Sequence, residues 1–386
     1  MIRALSGGNA RFDLLSQRDR GFALRLLRET EVWRLRLDRS LSAYCRTPLH
    51  RLDTPVLAAL RAGAAQLLVL NTPPHAAVAA TVEAVTVKRA AGLVNAVLRR
   101  LQAEGEPEGG ELFEIWSHPR SLVRRGVSEF GRERAEALME WNNGVPELGG
   151  WGPEEKGSGR YLRGYRALPR TGTDPLETAP EGLYVQDESA AIVAESAAQL
   201  ANGETVLEIG AAPGGKTHHL SSNASYVVSM DSSRRRMDRW RENACRLNWR
   251  DALPVVALGE FPPFRRDFGL VLLDAPCTNT GVYRRRFDAR WNWSPERLAT
   301  SVLLQKKLLR AASGLVSPGG ILFYSTCSLE EEENRMQVKS FSEEASDFET
   351  VSLPAEGELV KDGMICIFPT EHHMDGHFAA AWRRKA

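Results

Sequence analysis

Long apolar runs and paired cysteines are both missing from this sequence of 386 residues. No stretch reaches the length of about 20 apolar residues that spans a bilayer, and the opening MIRALSGGNARFD lacks the apolar segment of a signal peptide. The five cysteines are odd in number and show no C-x-x-C spacing, which argues against a disulfide framework and against a zinc site. We therefore expect a cytoplasmic protein that has no membrane segment and binds no metal.

Lysine is almost absent from the front of the chain, where arginine supplies the positive charge. Residues 1–104 contain 16 Lys and Arg, of which only Lys88 is a lysine, against 8 Asp and Glu. The remainder of the chain sums to a net charge of −7. The planar guanidinium of arginine binds phosphate oxygens bidentately, so this excess suits an RNA backbone, although a solvated helical surface explains it equally well.

The chain divides into three stretches of different pattern. Residues 18–102 predict helices, one of them with Asp53 as N-cap and Pro55 in its first turn. AEGEPEGGE at 103–111 is typical of a linker, and the part up to about residue 180 is irregular apart from a helix predicted over 121–141. From Gly182 onward the short apolar segments ETVLEIG, YVVSMD, GLVLLD and GGILFYSTCS alternate with helical ones. That rhythm predicts a parallel α/β sheet with its ligand at the carboxyl ends of the strands.

A glycine-rich loop follows the first of these strands. Residues Gly210 to Thr217, GAAPGGKT, match the phosphate-loop pattern of nucleotide hydrolases. However, Glu208 at the strand end is expected to face the ligand, where its carboxylate would repel a triphosphate, and Pro213 removes an amide donor from the loop. Asp231 lies 21 residues past Gly210, the spacing of an acid that binds ribose hydroxyls. S-adenosyl-L-methionine, a cation with a ribose, fits these residues, and a phosphate-loop nucleotidase remains the alternative.

Two cysteines follow the ends of successive strands. Cys277 comes directly after Asp274-Ala275-Pro276, and Cys327 lies in STCS at the end of the next predicted strand. If these strands are neighbours in the sheet, both thiols open onto the ligand cleft. We interpret the other three cysteines as buried structural residues, since free cysteine is among the most buried residue types: Cys45, Cys245 and Cys366.

A methyl donor beside a thiol suggests methylation at carbon 5 of a cytosine. Carbon 5 is a poor nucleophile until a thiolate adds at carbon 6, after which carbon 5 can take the methyl group, lose its proton and release the thiol. Asp274 is placed to hydrogen-bond the pyrimidine edge, and a second cysteine could assist release. Because stacking hides carbon 6 from a thiol, we expect a single-stranded or flipped base.

At these residues the sequence resembles the RsmB/Nop2/Sun family of RNA (cytosine-5)-methyltransferases. EIGAAPGGKT is similar to the cofactor loop of that family, DAPCTNTGVYRRRFDARW to its Pro-Cys motif and YSTCSLEEEEN to its Thr-Cys motif, and VQDESA and MDGHFAAAWRRK extend the resemblance over 182–386. The resemblance implies that Cys327 is the nucleophile and that Cys277 releases the product. It also implies a cofactor site formed by Gly210, Ala211, Ala212, Pro213, Gly214, Gly215, Lys216, Asp231, Arg236 and Asp274.

The front of the chain resembles the NusB-like helical domain fused to the bacterial 16S rRNA members of this family, through RDRGFALRLLRETEVWRLRLDRSL, LDTPVLAALRAGAAQLLVLNTPPHAAV and AGLVNAVLRRLQ. SHPRSLVRRGVSEFG is similar to the start of their middle domain. The resemblance implies a multi-domain protein: an all-α NusB-like RNA-binding domain over 1–104, a linker and small middle domain over 105–180, and a Rossmann-like α/β methyltransferase domain over 181–386. The implied partner is RNA, specifically 16S rRNA. The arginines 234–236 and 284–286 fit the same partner, although a solvated helix face explains the first triplet equally well.

Some positions depart from the family pattern. Gly210 stands where the loop usually opens with cysteine, Phe287 replaces a usual proline, and Glu260 is the nearest candidate for the acid that touches the adenine. The first helix of the NusB-like domain is expected to be shortened, and the middle region lacks the usual Arg-Val-Asn stretch. A catalytically idle RNA-binding protein is the third hypothesis, although the intact Cys277 and Cys327 argue against it. A monomer is the default expectation.

Overall fold

The computed structural model describes residues 15–153, 156–169, 179–265 and 267–386, and it divides into two compact units. Unit 1 comprises residues 1–144 with 290–292, and unit 2 comprises residues 145–289 and 293–386. The three-domain division at residues 104 and 180 stays a prediction. The expected shortening of the first helix concerns residues 1–14, which lie outside the described residues.

Unit 1 is helical, as the front of the sequence predicts. Its helices are Gln17–Val32, Arg34–Tyr44, Thr54–Leu68, Pro74–Ala84, Ala91–Glu104, Leu112–Ile115, Arg120–Phe130 and Arg132–Asn143. Apolar residues spaced by three or four positions, such as Leu37 and Leu41, form the buried core of the first five helices. Asp53 is the N-cap of Thr54–Leu68 as predicted, but its side chain makes no capping hydrogen bond.

The helix predicted over 121–141 is wrong as a single element. Two helices, Arg120–Phe130 and Arg132–Asn143, meet at Gly131 instead. Gly131 has φ 78°, a left-handed conformation that glycine adopts without strain and that an α-helix cannot contain.

The described residues of unit 2 form two sheets. The strands are β1 Leu148–Trp151, β2 Tyr165–Leu168, β3 Tyr184–Val185, β4 Thr205–Ile209, β5 Tyr226–Asp231, β6 Ala252–Val256, β7 Phe268–Asp274, β8 Val316–Thr326, β9 Phe348–Val351, β10 Val360–Lys361, β11 Met364–Ile367 and β12 His377–Arg384. The helices are Glu188–Ala201, Gly215–Asn223, Arg234–Leu247, Pro295–Ser313, Arg335–Glu344 and Pro369–His372. The large sheet has the order β10-β11-β12-β8-β7-β4-β5-β6, and β9 pairs with β12.

The centre of the large sheet is parallel and its far edge is antiparallel. Strands β4 to β8 pair in parallel, whereas β12 runs antiparallel to β8 and also pairs with β11 and β9. Alternate residues of β7 enter different cores: Val271 and Leu273 pack on one face of the sheet, and Leu270 and Leu272 on the other. From β4 the chain moves outward to β5 and β6 and then returns to β7, so the strand order reverses beside β4. A ligand of an open α/β sheet binds at such a reversal.

Two strands of the small sheet, β1 and β2, fall in the stretch that we expected to be irregular. Its order is β2-β1-β3, and β1 contains Gly149 and Gly150. A Cβ at Gly149 would overlap the Tyr165 ring, and one at Gly150 would overlap Leu183. Glycine is used here for close packing, and its low strand propensity hides the strand from a sequence-based prediction.

Candidate functional site

A cavity of about 580 Å³ opens at the carboxyl ends of β4, β5, β7 and β8 in unit 2. This volume is in the range that holds cofactors and small substrates. The predicted site residues that line it are Gly210, Ala212, Lys216, Asp231, Arg236, Asp274, Cys277 and Cys327, and Glu260 lines it as well. Those that do not line it are Glu208, Ala211, Pro213, Gly214 and Gly215.

The glycine-rich loop lies close to the end of β7. Gly210 has φ 86°, and a Cβ there would overlap the main-chain carbonyl oxygen of Asp274. The loop amides are already engaged, because Gly210 N and Ala211 N both donate to the Met230 carbonyl, at 2.8 and 3.1 Å. Ala212 N points to Asp231 Oδ2 at 3.4 Å. A phosphate-binding nest needs successive free amides, and the first three amides of this loop are not free.

Asp231 ends β5 at the cavity wall. Its Oδ1 accepts from Ser233 N at 2.7 Å and pairs with Arg236 Nη2 at 2.8 Å. The carboxyl group is buried, whereas the Arg236 side chain is about half exposed. The main-chain and guanidinium donors hold the carboxylate in a fixed orientation at the cavity.

Glu208 does not face the ligand as we expected. It is 1% exposed and lies behind the loop, where Thr217 Oγ1 and Ser229 Oγ donate to its Oε2 at 2.5 and 3.1 Å. Burial raises the pKa of this carboxyl from 4.5 to about 7. The alternation of side chains along β4 turns Glu208 into the interior, so its contribution to the site is indirect.

The two thiols meet in the cavity. Strands β7 and β8 are parallel neighbours, and Cys277 Sγ lies 3.3 Å from Cys327 Sγ. Cys327 Sγ also donates to Asn279 Oδ1 at 3.3 Å, while Asn279 Nδ2 donates to the Cys277 carbonyl at 2.9 Å. The hydrogen bond to Cys327, and then burial, raise the pKa of the Cys277 thiol well above its ordinary value. Because the single proton of Cys327 goes to Asn279 Oδ1, Cys277 is the donor in the contact between the two sulfurs.

Asp274 is oriented by two partners. Lys216 Nζ lies 2.8 Å from Asp274 Oδ2, and Ser325 Oγ donates to Oδ1 at 2.8 Å. Burial, the largest single effect, would lower the pKa of Lys216, but the charge and hydrogen bond of Asp274, together with the Glu208 carboxylate, raise it. Lys216 therefore pairs with the Asp274 carboxylate, in the place where the lysine of a phosphate loop would bind a phosphate.

A buried carboxylate joins the loops that carry the thiols. Glu333 accepts from Thr278 N at 3.0 Å, from Thr278 Oγ1 at 2.5 Å and from Gln305 Nε2 at 3.0 Å. Burial raises its pKa. The sequence did not identify Glu333 or Asn279, because only their positions in the fold reveal what they contact; Glu333 was one of four consecutive glutamates.

Some expectations outside the cavity need correction. Arg285 pairs with Asp187 at 2.5 Å and with Asp375 at 2.7 Å, so it is a structural residue of unit 2 rather than a free RNA contact. Cys45 is buried and Cys366 is half-buried, but Cys245 is exposed on its helix. None of the described helices has the length and apolar character required to span a membrane. The cytoplasmic location, the absence of metal and the monomeric state stay predictions.

Comparison with known families matches both parts of the chain. A model described as 16S rRNA methyltransferase RsmB/F matches residues 196–383, and a NusB family model matches residues 2–103. Ribosomal RNA small subunit methyltransferase B of Pasteurella multocida is 33% identical over 362 residues, which cover 84% of this chain and 79% of that protein. Its namesake from Xanthomonas campestris is 34% identical over 375 residues, which cover 89% and 84%.

Solved structures share the fold. The crystal structure of PH0851 has a TM-score of 0.77 at 23% identity and covers 94% of this chain and 89% of that one. NSun6 from Pyrococcus horikoshii with SFG has a TM-score of 0.56 at 17% identity and covers 69% and 98%. The predicted fold class is confirmed, with a helical NusB part and an α/β methyltransferase part. The chain belongs to the RsmB/F family of 16S rRNA methyltransferases, and membership implies the use of S-adenosylmethionine.

Proposed function

We propose that this protein transfers the methyl group of S-adenosyl-L-methionine to carbon 5 of a cytosine in 16S rRNA, through a covalent bond between Cys327 and carbon 6 of the base. The observation that carries the proposal is the 3.3 Å approach of the Cys277 and Cys327 sulfurs in a cavity that Asp274 also lines. A nucleophile, a second thiol and a carboxylate for the pyrimidine edge are thus within reach of one base.

The residues around the cavity fit the cofactor. Asp231, with its carboxylate held by Ser233 N and Arg236, suits the two ribose hydroxyls, and the backbone of Gly210 and Ala212 borders the same space. Replacement of Gly210 by any other residue would push a Cβ into the Asp274 carbonyl, so glycine at this position lets the loop lie against the end of β7 beside the cavity. When bound, S-adenosylmethionine supplies an electrophilic methyl carbon on a sulfonium.

The roles of the side chains follow from their contacts. Cys327 adds to carbon 6 as a thiolate, its proton passes to the ring nitrogen of the base, and carbon 5 becomes nucleophilic. Asp274, held by Lys216 and Ser325, hydrogen-bonds the protonated ring nitrogen of the base and so balances the charge that the addition creates. Cys277 keeps its proton and donates it toward the Cys327 sulfur, which assists departure of that sulfur at the end of the cycle.

A gel assay for covalent protein–RNA adducts tests the proposal. Wild type, Cys277→Ser and Cys327→Ser are each incubated with 16S rRNA and S-adenosylmethionine and denatured before electrophoresis. Cys245→Ser is the matched control, because this cysteine is exposed and outside the cavity. We expect Cys277→Ser alone to accumulate an adduct and Cys327→Ser to lose methyl transfer altogether.

The other outcomes separate the alternatives. If only Cys327→Ser traps RNA, the two cysteines exchange roles. If no variant traps RNA and the wild type transfers no methyl group, the protein is a catalytically idle RNA-binding protein. Titration calorimetry with S-adenosylmethionine and with ATP tests the nucleotidase alternative, and we expect binding of the first only, reduced at least about 10-fold by Asp231→Asn, the loss of a charge-assisted hydrogen bond.

A further inference from the structure

His377 lines the cavity together with both cysteines, and the proposed function leaves it without a role. It is the first residue of β12, and the antiparallel register that pairs Phe378 with Thr326 brings His377 to the level of Cys327. The residue is 7% exposed, so its ring lies inside the site rather than at its rim.

The hydrogen-bond partners of His377 fix its tautomer. Ser189 Oγ donates its single proton to Asp187 Oδ1 at 2.5 Å. The same oxygen lies 2.9 Å from His377 Nδ1, and because serine has no second proton, Nδ1 must be the donor in this contact. The Nε2 nitrogen of the neutral ring therefore carries a lone pair.

Asp187 stays ionised, as this arrangement requires. Burial, the largest single effect, would raise its pKa, but Arg285, whose Nη2 lies 2.5 Å from Asp187 Oδ2, and the hydrogen bonds from Ser189 together lower it. Asp187 is also the N-cap of the helix Glu188–Ala201 and accepts from Ser189 N. The orienting chain from Asp187 through Ser189 to His377 is thus anchored to a long helix.

Burial keeps the imidazole neutral. Burial and then Lys216 lower the pKa of His377 to about 4, while the carboxylates of Asp187 and Asp274 and the Asp375 carbonyl act in the opposite direction. Cys277 holds its proton and donates toward Cys327, so it is an acid in this site. A base for the carbon 5 proton must come from another residue.

We propose that His377 is the catalytic base that removes the carbon 5 proton after methyl transfer, an inference that rests on the proposed function. The proton moves from carbon 5 to Nε2, and the electron pair of that C–H bond forms the double bond between carbons 5 and 6. The pair of the bond between carbon 6 and sulfur returns to Cys327, where the Cys277 thiol donates to it. The imidazolium, beside Lys216 and disfavoured by burial, then gives its proton to water.

The test follows the hydrogen at carbon 5 as well as turnover. 16S rRNA with tritium at carbon 5 of cytosine is incubated with S-adenosylmethionine and wild type, His377→Gln, His377→Gly or Cys277→Ser. His373→Asn is the matched control, because this residue is exposed in the same segment and asparagine tolerates its φ of 55°. We expect His377→Gln to release tritium at least about 100-fold more slowly than wild type and to accumulate a methylated covalent adduct, because general bases contribute about 10²–10⁴-fold.

Rescue by added imidazole separates a missing base from a damaged fold. We expect imidazole to restore tritium release in His377→Gly by at least about 10-fold, but to leave Cys277→Ser unchanged. The inference is overturned if Cys277→Ser traps an adduct while His377→Gln turns over like wild type, or if imidazole does not rescue His377→Gly that still binds S-adenosylmethionine. If neither Cys277→Ser nor any His377 variant forms an adduct, the proposed function itself fails. Ser189→Ala keeps the His377 ring but removes the acceptor of its Nδ1 proton. If both His377 variants misfold, slower tritium release in Ser189→Ala still supports the inference. Tritium release at the wild-type rate would then overturn it.

Discussion

Gly210 and Gly203 have the same backbone conformation and very different surroundings. Both have positive φ, 86° and 82°, but only at Gly210 would a Cβ overlap another part of the chain, the Asp274 carbonyl. We expect Gly203→Ala to lower the free energy of unfolding by about 1 kcal/mol from backbone strain alone. Gly210→Ala adds about 1–3 kcal/mol of steric strain and weakens S-adenosylmethionine binding at least about 10-fold.

Urea unfolding and titration calorimetry measure the two effects separately. Equal losses of stability and equal cofactor affinities in the two variants would show that contact with Asp274 does not matter.

The Glu208 carboxyl makes stability depend on pH. Its pKa is about 7 in the folded protein against an ordinary value of 4.5. The folded state binds this proton more tightly than the unfolded state. The contribution of the carboxyl to the free energy of unfolding is therefore complete below pH 4.5 and is lost as the pH rises toward 7. Relative to Glu208→Gln, the free energy of unfolding of the wild type should fall by up to about 1.4 kcal/mol per pH unit across that window. Urea unfolding at several pH values checks this, and parallel curves for both proteins would contradict it.

At the scale of elements, the turn that follows β8 connects the loop after β7 with the helix Pro295–Ser313. Its Glu333 carboxylate accepts hydrogen bonds from Thr278, beside Cys277, and from Gln305 of that helix. We expect Glu333→Ala to reduce methyl transfer by about 10–100-fold, because a nucleophile displaced by about 1 Å loses its alignment. Cofactor affinity should stay unchanged, since Glu333 does not line the cavity.

Glu331→Ala is the control for this variant, because that glutamate is exposed in the same turn. Single-turnover methyl transfer and calorimetry are measured for both. A loss of cofactor binding in Glu333→Ala, or an equal loss of activity in Glu331→Ala, would rule out a specific positioning role.

At the scale of the whole molecule, the positive charge is concentrated in residues 1–104, which contain eight more Lys and Arg than Asp and Glu. If this part binds RNA phosphates, affinity falls with salt, and each lost contact reduces the slope of log affinity against log salt by about 0.7–0.9. We expect Arg46→Gln with Arg51→Gln, both exposed, to reduce the slope by up to about 1.8. S-adenosylmethionine affinity should not change.

The matched control removes two exposed charges from unit 2, by Lys307→Gln with Lys339→Gln. Filter binding of 16S rRNA between low and physiological salt gives the slopes. The same reduction in both double variants would mean that RNA binding follows total charge and not the arginine-rich front.

The order of residues along the chain was enough to predict much of the fold and much of the candidate site. Strand-like runs that each end in a functional residue predict the α/β half, because parallel strands of one sheet end at the same edge. Asp231, Asp274, Cys277 and Cys327 all follow such runs and all line one cavity. The helical front was equally predictable, since its apolar residues recur at helical spacing.

Other features depended on contacts between distant segments, which only the tertiary structure decides. The direction of Glu208 into the interior, the glycine strand β1, the break at Gly131 and the placement of Glu333 each depend on local packing or backbone conformation. His377 reaches the site because β12 returns antiparallel beside β8. Sequence order therefore determined which residues end strands, whereas packing determined which of them face the cavity, because side-chain direction depends on register and on neighbours far away in the chain.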